Sequence, residues 1–104
     1  MNETSAKRVR PDAVGAARYP HLFSPLQLGK LWLPDRFAMA PMTTNYAGLD
    51  GGVTPELCDY LAARGRGGFS LIITENMGVH ASGRVMPRMV MADDDRHIPG
   101  LARL

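Results

Sequence analysis

The chain has 104 residues, 45% of them hydrophobic and 21% charged, which suits one small domain of ordinary soluble composition and no more. Its net charge of +2 lies wholly in the first twenty residues, where Lys7, Arg8, Arg10 and Arg18 face Glu3 and Asp12; the balanced remainder argues against nucleic-acid binding. Cys58 is the only cysteine, which excludes an internal disulfide and a cysteine-built zinc or iron–sulfur site, and no apolar run approaches the roughly 18 residues of a membrane span.

Residues 1–19 are polar, small or basic and lack periodicity, so they are expected to form a disordered basic leader, with the remaining unit running over 20–104. The leader has no apolar stretch of signal-peptide length and its acidic residues argue against a transit peptide, so the expected location is cytoplasmic. Leu26, Leu28, Leu31 and Leu33 flank Gly29-Lys30, a pattern that predicts a tight hairpin. Pro34-Asp35 breaks that element. Phe37 to Met39 then form a short apolar run stopped by Pro41, as expected of a parallel-sheet strand buried on both faces. Residues 43–53, rich in Thr, Asn, Asp and Gly, are expected to form a loop.

A helix is predicted from Thr54. The threonine can cap free amides, Pro55 suits the first helical position, and Glu56 favours the positive end of the dipole. Leu57, Tyr60 and Leu61 make an apolar stripe that the stem of Arg64 extends, and Gly65, Gly67 and Gly68 end the helix. Phe69 to Thr74 read as a second buried strand. After a loop from Glu75 to Pro87, Asp93-Asp94-Asp95 precedes HIPGLARL, the opening of a second helix. The order strand, loop, helix, strand over 36–74 fits a right-handed parallel βαβ unit. Two strands and one helix leave a sheet face and both edges uncovered, so the fold class is α/β without closure.

Four blocks in this order, LFSPLQLGKLWLPDRFAMAPMTTNYA, GGVTPELCDYLAARGRGGFSLIITE, VHASGR and DDDRHIPGLARL, resemble the opening of the NADH:flavin oxidoreductase/Old Yellow Enzyme family. The resemblance runs from about Leu22 to Leu104, and MAPMTTNYA is closest in style to bacterial enoate and 2,4-dienoyl-CoA reductases. It implies the N-terminal β-α-β portion of an FMN-binding (β/α)8 TIM barrel, incomplete in this chain, since a full barrel takes roughly 250 residues. It also implies FMN as cofactor, NAD(P)H as reductant, and hydride transfer from reduced flavin to an alkene activated by a carbonyl.

Carried onto this chain, the resemblance places the backbone of Ala40, Pro41, Met42 and Thr43 against the flavin ring, with the Thr43 hydroxyl directed to its O4 region. Asn76 takes the position after the second strand whose backbone approaches the same ring edge, where the family usually has Ala or Gly. A substrate-contacting Tyr found in one branch two residues after Thr43 is replaced by Asn45, with Tyr46 one step later. The family's substrate-binding His pair, proton-donating Tyr and phosphate-holding loops have no counterparts here. No catalytic residue is therefore assigned, and the chain is expected to be inactive alone. The expected partner of the intact enzyme is a small-molecule substrate; the alternative to an enzyme fragment is a non-catalytic piece that complements another chain supplying the remaining barrel, or a decayed remnant.

Other residues read as structural. His80 and His97 lack a second ligand at useful spacing and are expected at the surface, and His21 sits in the leader junction. Glu75 ends the second strand at the mouth and is expected to hold loop backbone rather than to catalyse. Cys58 is expected to pack beside the helix's apolar face. Gly65, Gly67 and Gly68 follow a helix and precede a strand, the reverse of a phosphate loop.

Overall fold

A computed structural model describes residues 15–104, so most of the expected leader lies outside the described residues. Within its last part, the amides of Arg18 and Tyr19 both donate to the Gly15 carbonyl, at 3.0 and 2.8 Å, and form a turn ahead of the expected start at Pro20. The hairpin follows as read. Strand β1 (Leu26–Leu28) pairs antiparallel with β2 (Leu31–Leu33), Leu26 opposite Leu33, and Gly29 takes φ +60 at the turn. Arg36 ties this hairpin to the body, donating from Nε to Ser24 Oγ at 2.9 Å and from its guanidinium to the Pro25 carbonyl at 3.3 Å.

The central unit is β3 (Ala38–Met39), helix α1 (Pro55–Gly67) and β4 (Leu71–Ile72), with β3 and β4 parallel and Met39 opposite Ile72. This is the predicted βαβ unit. The second strand is shorter than the expected Phe69–Thr74, although the Ser70 amide reaches the Phe37 carbonyl and the Ile73 amide the Met39 carbonyl, both at 3.1 Å. Asp35, which the sequence marks only as part of a break, is buried where the pairing begins. Its carboxylate accepts from the Phe37 amide at 3.0 Å and its own amide donates to Ser70 Oγ at 3.1 Å.

Helix α1 starts at Thr54, whose extended backbone (φ −105, ψ 157) and side chain, accepting from the Leu57 amide, make an N-cap. It stops at Gly68, whose φ of 120 few other residues tolerate and whose amide returns to the Gly65 carbonyl. Gly65 and Gly67 thus lie inside the last turns, and termination falls to Gly68 alone. Leu57 and Leu61 are buried with Ala47 and Val90, while Tyr60, Ile72 and Leu101 pack around them. Burying each leucine contributes about 1.5–3 kcal/mol. Arg64 extends the stripe as read: its guanidinium carbon lies 3.5 Å from the Tyr60 ring centroid, a cation–π contact.

The expectation that the first strand is buried on both faces does not hold among the described residues. Helix α1 packs on β4 through Ile72, and Met39 is buried, whereas Ala38 is exposed and Ile73, further along β4, remains 48% exposed. Beyond the strands, a segment just after the expected loop, to which the sequence assigns no element, forms part of the core. Met89, Val90 and Met91 are buried, and Gly78 bridges Met91 in parallel. The Met91 amide donates to the Gly51 carbonyl at 2.9 Å, which threads the segment between two loops. The second helix opens as predicted: Asp94 accepts from the Arg96 amide at 2.8 Å and caps a turn, Asp95–His97, that runs into α2 (Ile98–Leu101).

Candidate functional site at the ends of the parallel strands

In a parallel α/β sheet the strands deliver their chemistry at their C-terminal ends, because loop backbone there is free of the ladder. Here those ends are the segments after Met39 and Ile72. Backbone pairing stops at the Ile73-to-Met39 bond, and side chains take over. The Thr44 hydroxyl donates to Glu75 Oε1 at 2.6 Å, and the Thr43 hydroxyl donates to Asn76 Oδ1 at 3.3 Å. Thr44 Oγ1 also accepts from the Tyr46 amide at 3.1 Å, closing a small turn in which Asn45 adopts φ 61, a left-handed conformation that Asn tolerates.

The far end of that turn is held by α1. The Thr54 hydroxyl donates to the Tyr46 carbonyl at 2.5 Å, and the Tyr46 ring meets Tyr60 edge-on at 5.6 Å between centroids. The loop after β3 is therefore fastened to β4 through Thr44 and to the helix through Thr54.

The five residues expected to form a cofactor wall lie on these two segments. Ala40, Pro41, Met42, Thr43 and Asn76 are all exposed, and Thr43 and Asn76 are brought into contact. The amides of Ala40, Met42, Thr43 and Asn76 make no hydrogen bond among the described residues, nor do those of Thr44, Asn45, Glu75 and Met77 beside them, so backbone donors are available at the C-terminal end of the sheet. Such unpaired donors beside an exposed apolar side chain, Met42, fit the polar edge and flat face of a flavin ring. The Thr43 hydroxyl, expected to address the flavin, is engaged by Asn76.

Glu75 holds loop structure, as expected, but through a side chain rather than through backbone. It is 5% exposed, and its Oε2 has no hydrogen-bond partner among the described residues. His97 is a correction: the expected surface histidine is 5% exposed, with Nε2 3.4 Å from Asp93 Oδ1, because the turn before α2 folds it inward. His80 is exposed and caps the turn Ala81–Gly83 by accepting from the Ser82 amide. Cys58 is a half-buried free thiol. The described residues contain no group of three metal-ligating side chains.

Two features escaped the sequence reading. Arg84 donates its guanidinium to the carbonyls of Leu49, Met86 and Pro87, tying its own loop to the one that carries Leu49. A cavity of about 340 Å³ opens between the Asp50 loop and α2, lined by Asp50, Val53, Arg96, His97 and Arg103. The Asp50 carboxylate there is held below its ordinary range chiefly by the Gly52 amide, 2.9 Å away, with smaller help from His97 and Arg96. A polar loop spacing carries no signal for either feature.

The fold defines a class: a parallel βαβ unit of the α/β kind, with exposed loop backbone where its strands end. Residues 21–104 match the model of the NADH:flavin oxidoreductase / NADH oxidase family, and the chain belongs to that family. It is 41% identical over 87 residues to an NADH oxidase of Thermoanaerobacter brockii, covering 83% of this chain and 13% of that protein. It is 46% identical over 72 residues to an NADH:acrylate oxidoreductase of Vibrio harveyi, covering 69% of this chain and 7% of that protein. Among solved structures, the Old Yellow Enzyme homologue of Zymomonas mobilis superposes with a TM-score of 0.73 at 28% identity, covering 81% of this chain and 23% of that one. The chain thus spans 13% of the length of the NADH oxidase it matches. The cofactor that goes with this family is FMN, with NAD(P)H as its reductant. No helix among the described residues is long and apolar enough to cross a membrane.

Proposed function

We propose that this chain supplies one wall of the FMN pocket of an ene-reductase-type oxidoreductase, formed by Ala40, Pro41, Met42, Thr43 and Asn76. The observation that supports this reading is the group of backbone donors without a partner where β3 and β4 end, those of Ala40, Met42, Thr43 and Asn76 among them. FMN, when bound, supplies hydride transfer from NAD(P)H to an alkene activated by a carbonyl. The chain's own part is to hold and orient. Backbone amides receive the acceptor atoms of a flat polar ring, Met42 covers apolar surface, and the Thr43–Asn76 pair presents the Asn76 amide nitrogen as a further donor. A small-molecule substrate would meet the same mouth. The name of the Vibrio harveyi relative, which acts on acrylate, supports an α,β-unsaturated carboxylate or related compound. A cytoplasmic location goes with NAD(P)H chemistry and with the free thiol of Cys58.

The test is titration of FMN with the 104-residue chain, read by flavin fluorescence and visible absorbance. Saturable quenching supports the wall; an unquenched flavin at all protein concentrations refutes it for the chain alone. A second reading has a separate observation in its favour. The unpaired outer edges of β3 and β4, beside an exposed Ile73, suit further strands that complete the sheet, so that the chain is inactive alone and binds flavin only in complement. Binding that appears only on adding the remaining barrel selects this reading.

A further inference from the structure

We infer that Glu75 is a positioning residue for the flavin wall, acting through Thr44; this rests on the flavin reading above. Among the described residues, no backbone hydrogen bond beyond the Ile73-to-Met39 bond joins residues 40–46 to residues 74–77. What joins them is a two-rung side-chain clamp, Thr44 to Glu75 and Thr43 to Asn76, in which each step forward along one segment is a step back along the other.

The rungs are unequal. The Thr43–Asn76 contact is long, 3.3 Å between two exposed residues, and by itself holds little. The Thr44–Glu75 contact is 2.6 Å, with Glu75 almost fully buried, so its geometry is set by packing rather than by solvent. Because Thr44 Oγ1 also receives the Tyr46 amide, the carboxylate fixes the rotamer that closes the turn immediately after Thr43. The place of Thr43, and hence of the donors at Met42 and Thr43, is inherited from Glu75. The free Oε2 makes the residue diagnostic. Gln at this position can still offer a carbonyl to Thr44 and put its NH2 where no donor among the described residues competes.

The experiment uses the whole chain with Glu75→Ala, Glu75→Gln, Thr44→Val and Thr44→Ser, read in two ways. One is the Kd for FMN from flavin fluorescence; the other is hydrogen exchange of the Tyr46 amide in the flavin-free chain, with far-UV circular dichroism to check that α1 persists. Positioning through Thr44 predicts that E75A and T44V each weaken FMN binding about tenfold, that the double variant is no worse than either, and that E75Q and T44S stay within about threefold of the parent. It also predicts Tyr46 exchange about tenfold faster in E75A and T44V but not in E75Q. E75Q as damaging as E75A overturns the inference, as does unchanged Tyr46 exchange in E75A. If the parent chain binds no FMN, the flavin reading fails for the chain alone, and the exchange data still decide the clamp. If E75A loses its helix, the Thr44→Val and Thr44→Ser pair decides it.

Discussion

Thr54 serves two elements at once, and replacing it with Val should cost more than an ordinary cap. Its Oγ1 accepts from the Leu57 amide at 3.2 Å, closing the first turn of α1, and donates to the Tyr46 carbonyl at 2.5 Å, fastening the loop after β3. Losing an N-cap costs about 1 kcal/mol. Losing the second bond, which leaves a loop carbonyl to find water, costs about another 1 kcal/mol. Val keeps the β-branched shape and the extended backbone of the cap, so the predicted loss of about 2 kcal/mol belongs to the hydroxyl; it corresponds to roughly a 30-fold change in the unfolding equilibrium. Urea unfolding followed at 222 nm measures it, and amide exchange at Leu57 and Tyr46 separates the two contributions. Thr54→Ser should recover most of the loss. A T54V chain within about 0.5 kcal/mol of the parent, or a T54S chain no better than T54V, refutes the double role.

Gly51 takes φ +83, and a Cβ there would lie 2.4 Å from Met91 Cγ, so Gly51→Ala should destabilise the chain by about 2 kcal/mol or more, measurable as a lowered urea midpoint. Leu57 is 1% exposed at the centre of the small core with Ala47, Leu61 and Val90; Leu57→Ala should cost about 2–5 kcal/mol and abolish cooperative unfolding if the chain's total stability is of that size. The depressed Asp50 carboxylate contributes stability that is present above its unfolded pKa and lost as the pH falls through its folded value. An NMR titration should place its midpoint below that of an unstructured aspartate, and Gly52→Pro, which deletes the amide donor, should move it up.

How far the sequence reveals the molecule depends on the range of the interaction. Thr54-Pro55-Glu56 declares a helix start because capping involves neighbours three residues apart, and Gly29-Lys30 declares a hairpin because turn geometry is local. The resemblance singles out Ala40 to Thr43 and Asn76, and these residues lie just beyond the ends of β3 and β4. His97 differs from its expected surface position because nothing in a lone polar residue reports that its own turn, Asp95–His97, buries it beside Asp93. The core role of Met89, Val90 and Met91 was hidden for a similar reason. Their segment lacks strand alternation, and its amides find partners at Gly51 and across to Gly78 that only the tertiary fold supplies.

The clamp shows the same limit from the side of function. Thr44 and Glu75 are 31 residues apart, and Thr43 and Asn76 are 33 apart, so no spacing rule links either pair. What brings them together is the parallel register of Met39 opposite Ile72, which α1 enforces by burying Leu57 and Leu61 over Ile72. A one-residue slip in that register would invert the faces of β4. Ile72 would then leave the core, and the residues set opposite Thr43 and Thr44 would no longer be Asn76 and Glu75. The apolar stripe of α1, away from the strand ends, is thus what decides which side chains meet there. It follows that a core substitution such as Leu57→Ala should speed exchange at the Tyr46 amide even where the helix survives, whereas removing the clamp should leave the core's protection in place.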